Sequence, residues 1–331
     1  MRNVARKNAR DRQELFRATA QAMRVHEAII EKDFWVCWLL DYLFQDSPWK
    51  DEMAFKGGTS LSKAFGAIER FSEDVDLILD WRQLGYDAEE PWAERSVTKQ
   101  DAFGKAANRR AATFLAQEMA PVLRNVLSER AGVDIKVEAD EQEVRVWYPK
   151  AFSLAASLPQ IRLEIGPLAA WTPNVACPVR PYAAERVPHV FTHSATMVRT
   201  ITAERTFWEK ATILHQEAHR APERPLPTRY SRHYYDLYRL SCLPVGAAAV
   251  AMPNLLHEVV CFKMRFYHCP WAHYETAKPG TLRLLPPAHN LDGIRKDYAA
   301  MQAMLFGAIP AFAEILDGLA QLERTINGQD A

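Results

Sequence analysis

Two short stretches, Gly57-Gly58-Thr59-Ser60 and Asp74-Val75-Asp76, hold residue types suited to a phosphorylated ligand. The apolar run Met53-Ala54-Phe55 leads into the glycine pair, and hydroxyl residues follow where a helix is expected to start. Glycine lets the backbone turn sharply and approach a ligand, and a helix N-terminus offers N–H groups and partial positive charge to an anion. Ser60 is a natural donor to a phosphate oxygen and equally a natural helix cap. The GxxxxGK[ST] spacing of a P-loop is absent, because Lys63 comes after the hydroxyls with no second glycine before it. In a strand, residues two apart share a face, so Asp74 and Asp76 project together while Val75 and Leu77 face the core. A solvated strand face explains an isolated pair of this kind. Here the pair follows the glycine turn by one short helix, so adjacent strands would set both carboxylates beside a phosphate cradle. Mg²⁺ shared between acids and a triphosphate is what two-metal phosphoryl or nucleotidyl transfer requires.

The elements that must position these groups read as a mixed first part and a helical second part. Ile29, Ile30, Phe34, Trp38 and Leu39 recur at helical spacing in a largely buried helix, after a polar, Arg/Lys-rich start. The stretches "MAFKGG" and "VDLILD" read as strands around a short helix, and an Ala-rich helix is expected from Phe103 to Arg130. "DIKVEADEQEVRVWYP" reads as a hairpin turning at Asp140-Glu141, and "QIRLEIGP" alternates Ile161, Leu163 and Ile165 on one face with Arg162 and Glu164 on the other. After Thr200 nearly everything reads helical, with Pro-rich breaks at 221–227 and 278–289. The expected architecture is α+β, a mixed sheet with helices followed by an α-helical domain, divided as 1–200 and 201–331. A chain of 331 residues with 48% hydrophobic and 25% charged content has the composition of an ordinary soluble protein. No apolar run long enough to span a bilayer and no apolar signal segment is visible, so a cytoplasmic location is expected. Five scattered cysteines without a CxxC pair argue for reduced thiols, and zero formal charge leaves any nucleic-acid contact to a local basic patch.

A glycine turn, an acidic pair on the next strand and a third acid on a later strand resemble the layout of the nucleotidyltransferase fold, in which Glu164 would take the third place. Exposure at a sheet edge is the competing account of that residue. The stretch "FKGGTSLSKAFGAIERFSEDVDL", with "EKDFWVCWLL" upstream and "ERTFWEKATILHQE" and "SRHYYDLYRL" downstream, closely resembles the AbiEii/AbiGii family of nucleotidyltransferase toxins from abortive-infection and type IV toxin–antitoxin systems, which includes the MenT enzymes. The resemblance covers about Ile30 to Leu240. It implies a toxin, paired with a separately encoded antitoxin and associated with phage defence, that transfers a nucleoside monophosphate from an NTP with Mg²⁺ or Mn²⁺. In some members the acceptor is the 3′ end of tRNA. Carried onto this chain, Gly57, Gly58 and Ser60, with Thr59 and Lys63 beside them, would hold phosphate. Asp74, Asp76 and Glu164 would hold metal, and Lys210 and Asp236 would be the active-site pair of the helical domain. The same residues have plainer readings. Lys210, three after Phe207 and four before Leu214, lies on or beside a buried stripe, where lysine can snorkel, and Asp236 could pair with Arg232 or Arg239.

Other patterns carry less. His215 and His219 resemble a zinc-protease HExxH, but the acid stands at 217 instead of 216, which rules out that geometry. Cys269 between His268 and His273 has no second ligand cluster, so a structural loop is expected. Arg220, Arg224, Arg229 and Arg232, spaced among prolines, form the best local candidate for acceptor RNA or triphosphate, against solvated loop charge as the alternative. The sequence therefore reads as an NTP-dependent, pyrophosphate-releasing nucleotidyltransferase with no membrane partner. Transfer to a protein hydroxyl, or NTP sensing without turnover, are the alternatives.

Overall fold

The computed structural model describes residues 1–72, 74–153 and 159–329, and these fall into two compact units. The first comprises 1–64 and 72–201, and the second comprises 65–71 and 202–331. The segment Phe65–Phe71, which precedes the acidic pair by only a few residues, thus belongs with the helices far along the chain.

The first unit is built on seven strands: β1 (Met53–Lys56), β2 (Asp74–Leu79), β3 (Lys136–Asp140), β4 (Glu143–Trp147), β5 (Gln160–Gly166), β6 (Asn174–Val179) and β7 (Thr196–Ile201). Their order is β3-β4-β5-β2-β1-β7-β6. The β1–β2 pair is antiparallel, whereas β2 runs parallel to β5 and β1 parallel to β7. The outer pairs on both sides are antiparallel hairpin-like ladders. Val75, Leu77, Leu163 and Ile165 are buried on one face, as their alternation predicts. The opposite face carries Asp74 and Asp76 at one end of β2. Further along β2 that face turns apolar, where Ile78 packs with Ala54, Ala169 and Ile201.

The helix Glu27–Asp41 buries Ile30, Phe34, Trp35 and Trp38, together with charged Glu31, Lys32 and Asp33. Two of those charges have visible work. Glu31 accepts the N–H groups of Ala151 and Phe152 at 2.8 and 3.0 Å, and Asp33 accepts that of Tyr182 at 2.7 Å. The Ala-rich segment begins at Val97, where Ser96 caps it, and a π-helical turn at Leu115–Met119 separates it from the helix Ala120–Ala131. The hairpin turns one residue later than the alternation suggests: Asp140 pairs with Glu143, and Glu141 takes the left-handed conformation at φ 51°.

The second unit contains the helices Ala203–Ala218, Ser231–Ser241, Pro244–Val250, Pro253–Phe266, Leu291–Met301 and Phe312–Ile326. Thr202 caps the first by accepting the Arg205 N–H. Phe65–Phe71 is tied in by backbone bonds, from the Phe71 N–H to the Met304 carbonyl (2.8 Å) and from the Phe306 N–H to the Glu69 carbonyl (2.9 Å). No single helix among the described residues is long and apolar enough to cross a membrane.

Candidate active site

Gly57 is where turn and acids meet. Its φ of +79° suits glycine, and a Cβ there would lie 2.0 Å from Oδ2 of Asp76. The carboxylate therefore packs directly against the turn backbone, a closeness only glycine allows. The hydroxyls that follow serve the turn itself. Ser60 is fully buried and donates to the Gly57 carbonyl at 2.8 Å, and Thr59 donates to the carbonyl of Asp74, tying the helix Gly57–Lys63 to β2. Both hydroxyls, expected at a phosphate, are thus committed to main-chain carbonyls.

Lys63 also departs from its expected role. Its ammonium sits 2.6 Å from Asp33, over the Tyr182 ring, with its side chain 5% exposed. Burial disfavours the ammonium, but the Asp33 carboxylate outweighs it and raises the lysine pKa. An ion pair of this kind, committed inside the core, fixes the short helix from behind.

The three acids share one face because the parallel register sets Asp76 opposite Glu164 and Asp74 opposite Arg162. Glu164 is half-exposed, and its carboxyl pKa is raised by burial first, then by Asp76 and Asp74. Arg162, grouped from the sequence only with the polar face, proves central. Its Nε and Nη2 lie 2.6 and 2.5 Å from Oδ1 of Asp74, with Glu164 at 3.7 Å and Glu143 at 3.8 Å. Carboxylate oxygens are the donors a hard divalent cation takes, so the residue types fit such an ion. As placed, however, no group of three His, Cys, Asp or Glu side chains among the described residues encloses one. The cation that Asp74 does meet is the Arg162 guanidinium.

The second unit holds a different constellation. Asp236, completely buried, takes Nε and Nη2 of Arg70 at 2.7 and 2.9 Å and Nζ of Lys210 at 2.9 Å. Burial alone would raise its pKa, yet Arg70 and Lys210 together hold the carboxyl well below the usual range. Burial lowers the pKa of Lys210, with Asp236 opposing and Arg70 adding to the fall. Nδ1 of His233 lies 3.1 Å from Nζ of Lys210. Burial and then Lys210 keep this histidine neutral, so Nδ1 accepts from the ammonium and Nε2 carries the ring proton. Lys210 and Asp236 are thus joined, but the arginine partner is Arg70, not Arg232 or Arg239. Sequence reasoning missed Arg70 and His233. His233, three residues before Asp236 on one helix face, was detectable by spacing. Arg70 was not, since its partner lies 166 positions away.

The remaining candidates are structural. His215 accepts the Arg283 N–H on Nδ1 at 3.0 Å and points Nε2 at the His273 carbonyl at 3.2 Å; burial first lowers its pKa to about 4. These bonds pin the loop. Arg220 is buried in a two-pronged pair with Glu217 at 2.6 and 2.9 Å, leaving exposed Arg224, 4.9 Å from the Trp271 ring, as the more available cation of that segment.

Residues 38–318 match the family model described as nucleotidyl transferase AbiEii toxin, type IV toxin–antitoxin system. Among solved structures the chain is similar to MenT4, a nucleotidyltransferase toxin from Mycobacterium tuberculosis H37Rv, at 15% identity and TM-score 0.54, covering 96% of this chain and 90% of that one. It is also matched to JHP933 from Helicobacter pylori at 14% identity and TM-score 0.42, over 92% and 93% of the two chains. No curated protein sequence matches significantly. The likeness to MenT4 extends to the fold, a mixed sheet with helices and a helical C-terminal part, and the family match, which spans most of the chain, settles membership: this protein belongs to the AbiEii family of nucleotidyltransferase toxins of type IV toxin–antitoxin systems.

Proposed function

We propose that this nucleotidyltransferase transfers a nucleoside monophosphate from an NTP to the 3′ end of tRNA and releases pyrophosphate, using Mg²⁺ or Mn²⁺. The observation that carries this reading is the register that brings Asp76 opposite Glu164, with the Asp76 carboxylate against the backbone of Gly57. Asp74, Asp76 and Glu164 are the residues that would hold the divalent ion, which when bound supplies neutralisation of phosphate charge. The turn at Gly57 and Gly58 is assigned to phosphate through its backbone N–H groups, beside the Asp76 carboxylate that packs on Gly57. Lys210, held by Asp236 and His233, is assigned as a fixed cation for phosphate oxygens. Arg224, beside the Trp271 ring, and Arg229 are assigned to the acceptor RNA, because an arginine next to an aromatic suits both phosphate and base. The partner implied by the family is an antitoxin encoded separately, and the place of action is the cytoplasm.

Incubation with each of four α-labelled NTPs and Mg²⁺, with total RNA, total protein or no acceptor, tests the reading. Label in the tRNA fraction is expected. Label in protein would establish transfer to a protein hydroxyl, and binding without pyrophosphate release would establish NTP sensing; either outcome overturns the proposal.

A further inference from the structure

The presence of a guanidinium in the middle of the acid face calls for a physical reason. Arg162 is not needed to quench Glu143, since Arg145 already pairs with Glu143 and with Asp140. Nor does it gain much as a stability device. Its side chain is 36% exposed, and ion pairs that open to solvent contribute little because water and salt screen them. What it does is seat two donors on a single oxygen of Asp74, one of the acids expected to bind a cation. A guanidinium and a divalent ion compete for the same lone pairs. The guanidinium, planar and always charged, exchanges a carboxylate for a phosphate oxygen with little loss of hydrogen bonding.

We infer that Arg162 is the internal counter-ion of the acid face, holding Asp74 while the site is empty and passing to a phosphate oxygen of the nucleotide when a divalent cation takes Asp74. This rests on the transferase reading above and adds to it a named phosphate-binding side chain. The neighbours explain why such a counter-ion is needed. Asp74, Asp76, Glu164 and Glu143 lie on three adjacent strands of one face, fixed by register, and cannot separate to relieve their repulsion. Arg162, on β5 between two of these acids, is within 4 Å of three of them.

The test is Mn²⁺ binding to the full chain without nucleotide, measured by electron paramagnetic resonance. Arg162→Gln is expected to tighten Mn²⁺ binding by roughly 5- to 150-fold, the range of ordinary coupling between two ligands of one group, and to raise KM for NTP. Arg145→Gln removes a positive charge from the same face without touching Asp74, and is expected to change Mn²⁺ affinity far less. Unchanged or weaker Mn²⁺ affinity in Arg162→Gln, or equal tightening in Arg145→Gln, overturns the inference. Arg162→Lys, which keeps the charge but loses the fork, serves if the glutamine variant does not fold; a smaller tightening is expected, and none overturns the inference. Absence of Mn²⁺ binding in every variant also overturns it. The four-NTP assay on the same wild-type sample then shows whether the transferase reading falls too.

Discussion

The carboxylate of Asp236 lies completely buried in the helical unit, gripped by Arg70 and Lys210, whereas that of Glu164 is half-exposed on the sheet, opposite Asp76 on the adjacent strand. Burial alone would raise the pKa of both, but the neighbours then act in opposite directions: Asp236 ends well below the usual range and Glu164 above it. A saturated carboxylate of the first kind resists change and holds its partners in place. A crowded, under-neutralised one of the second kind is strained by its neighbours and gains when one of them loses its charge. The two regions should therefore respond differently to the loss of a single charge.

The largest effect is expected at Asp236. Asp236→Ala leaves Arg70 and Lys210 buried without their shared anion, and should lower the unfolding free energy by about 3–5 kcal/mol. Urea denaturation at neutral pH measures it; a loss below ~1 kcal/mol would mean that water enters the cluster and that the contrast with the acid face is false.

At the acid face the order reverses. Asp76→Asn keeps the shape while removing one repelling charge, so stability should stay within about 0.5 kcal/mol of the parent or rise slightly. Transfer should fall on the order of 10²–10³-fold, the scale for losing one preorganised charge-stabilising group. Melting curves run alongside the transfer assay separate the two quantities. A clear drop in melting temperature with activity retained would make Asp76 a structural residue.

Gly57 sharpens the comparison by joining both kinds of cost. Gly57→Ala must adopt a positive φ and collide with the Asp76 carboxylate, for a loss of about 1–3 kcal/mol. Adding Asp76→Ala removes the collision but not the backbone strain, so the double variant should be more stable than the sum of the single losses indicates. Strict additivity would show that the carboxylate does not press on the turn.

The smallest effect is a difference in slope. Because its folded pKa is depressed, Asp236 contributes stability that is present above the unfolded value of about 4 and is lost as pH falls through the folded value. Glu164 has a raised folded pKa, so its contribution is present below the unfolded value of about 4 and is lost as pH rises through the folded one. Glu164→Gln should flatten the fall in stability above pH ~4, and Asp236→Asn should flatten the acid limb. Denaturation midpoints across that range distinguish the two, and a Glu164→Gln profile parallel to the parent would remove the like-charge account.

What the sequence determined by itself was local. Alternation at Ile161–Ile165 and Asp74–Leu77 fixed which side chains share a face, because a strand has period two, and the glycine pair fixed the turn, because few other residues accept that conformation. Only the tertiary structure decided what these faces meet. The parallel pairing of β2 with β5 placed Arg162 on Asp74, and the inclusion of Phe65–Phe71 in the helical unit delivered Arg70 to Asp236. It also turned Lys63, expected at a phosphate, inward to Asp33, and closed Ser60 on the Gly57 carbonyl. Spacing along a chain sets a side chain's direction within its own element, but the partner of a buried charge is chosen by whichever distant group can neutralise it once water has left, and that depends on strand order and packing rather than on neighbours in sequence.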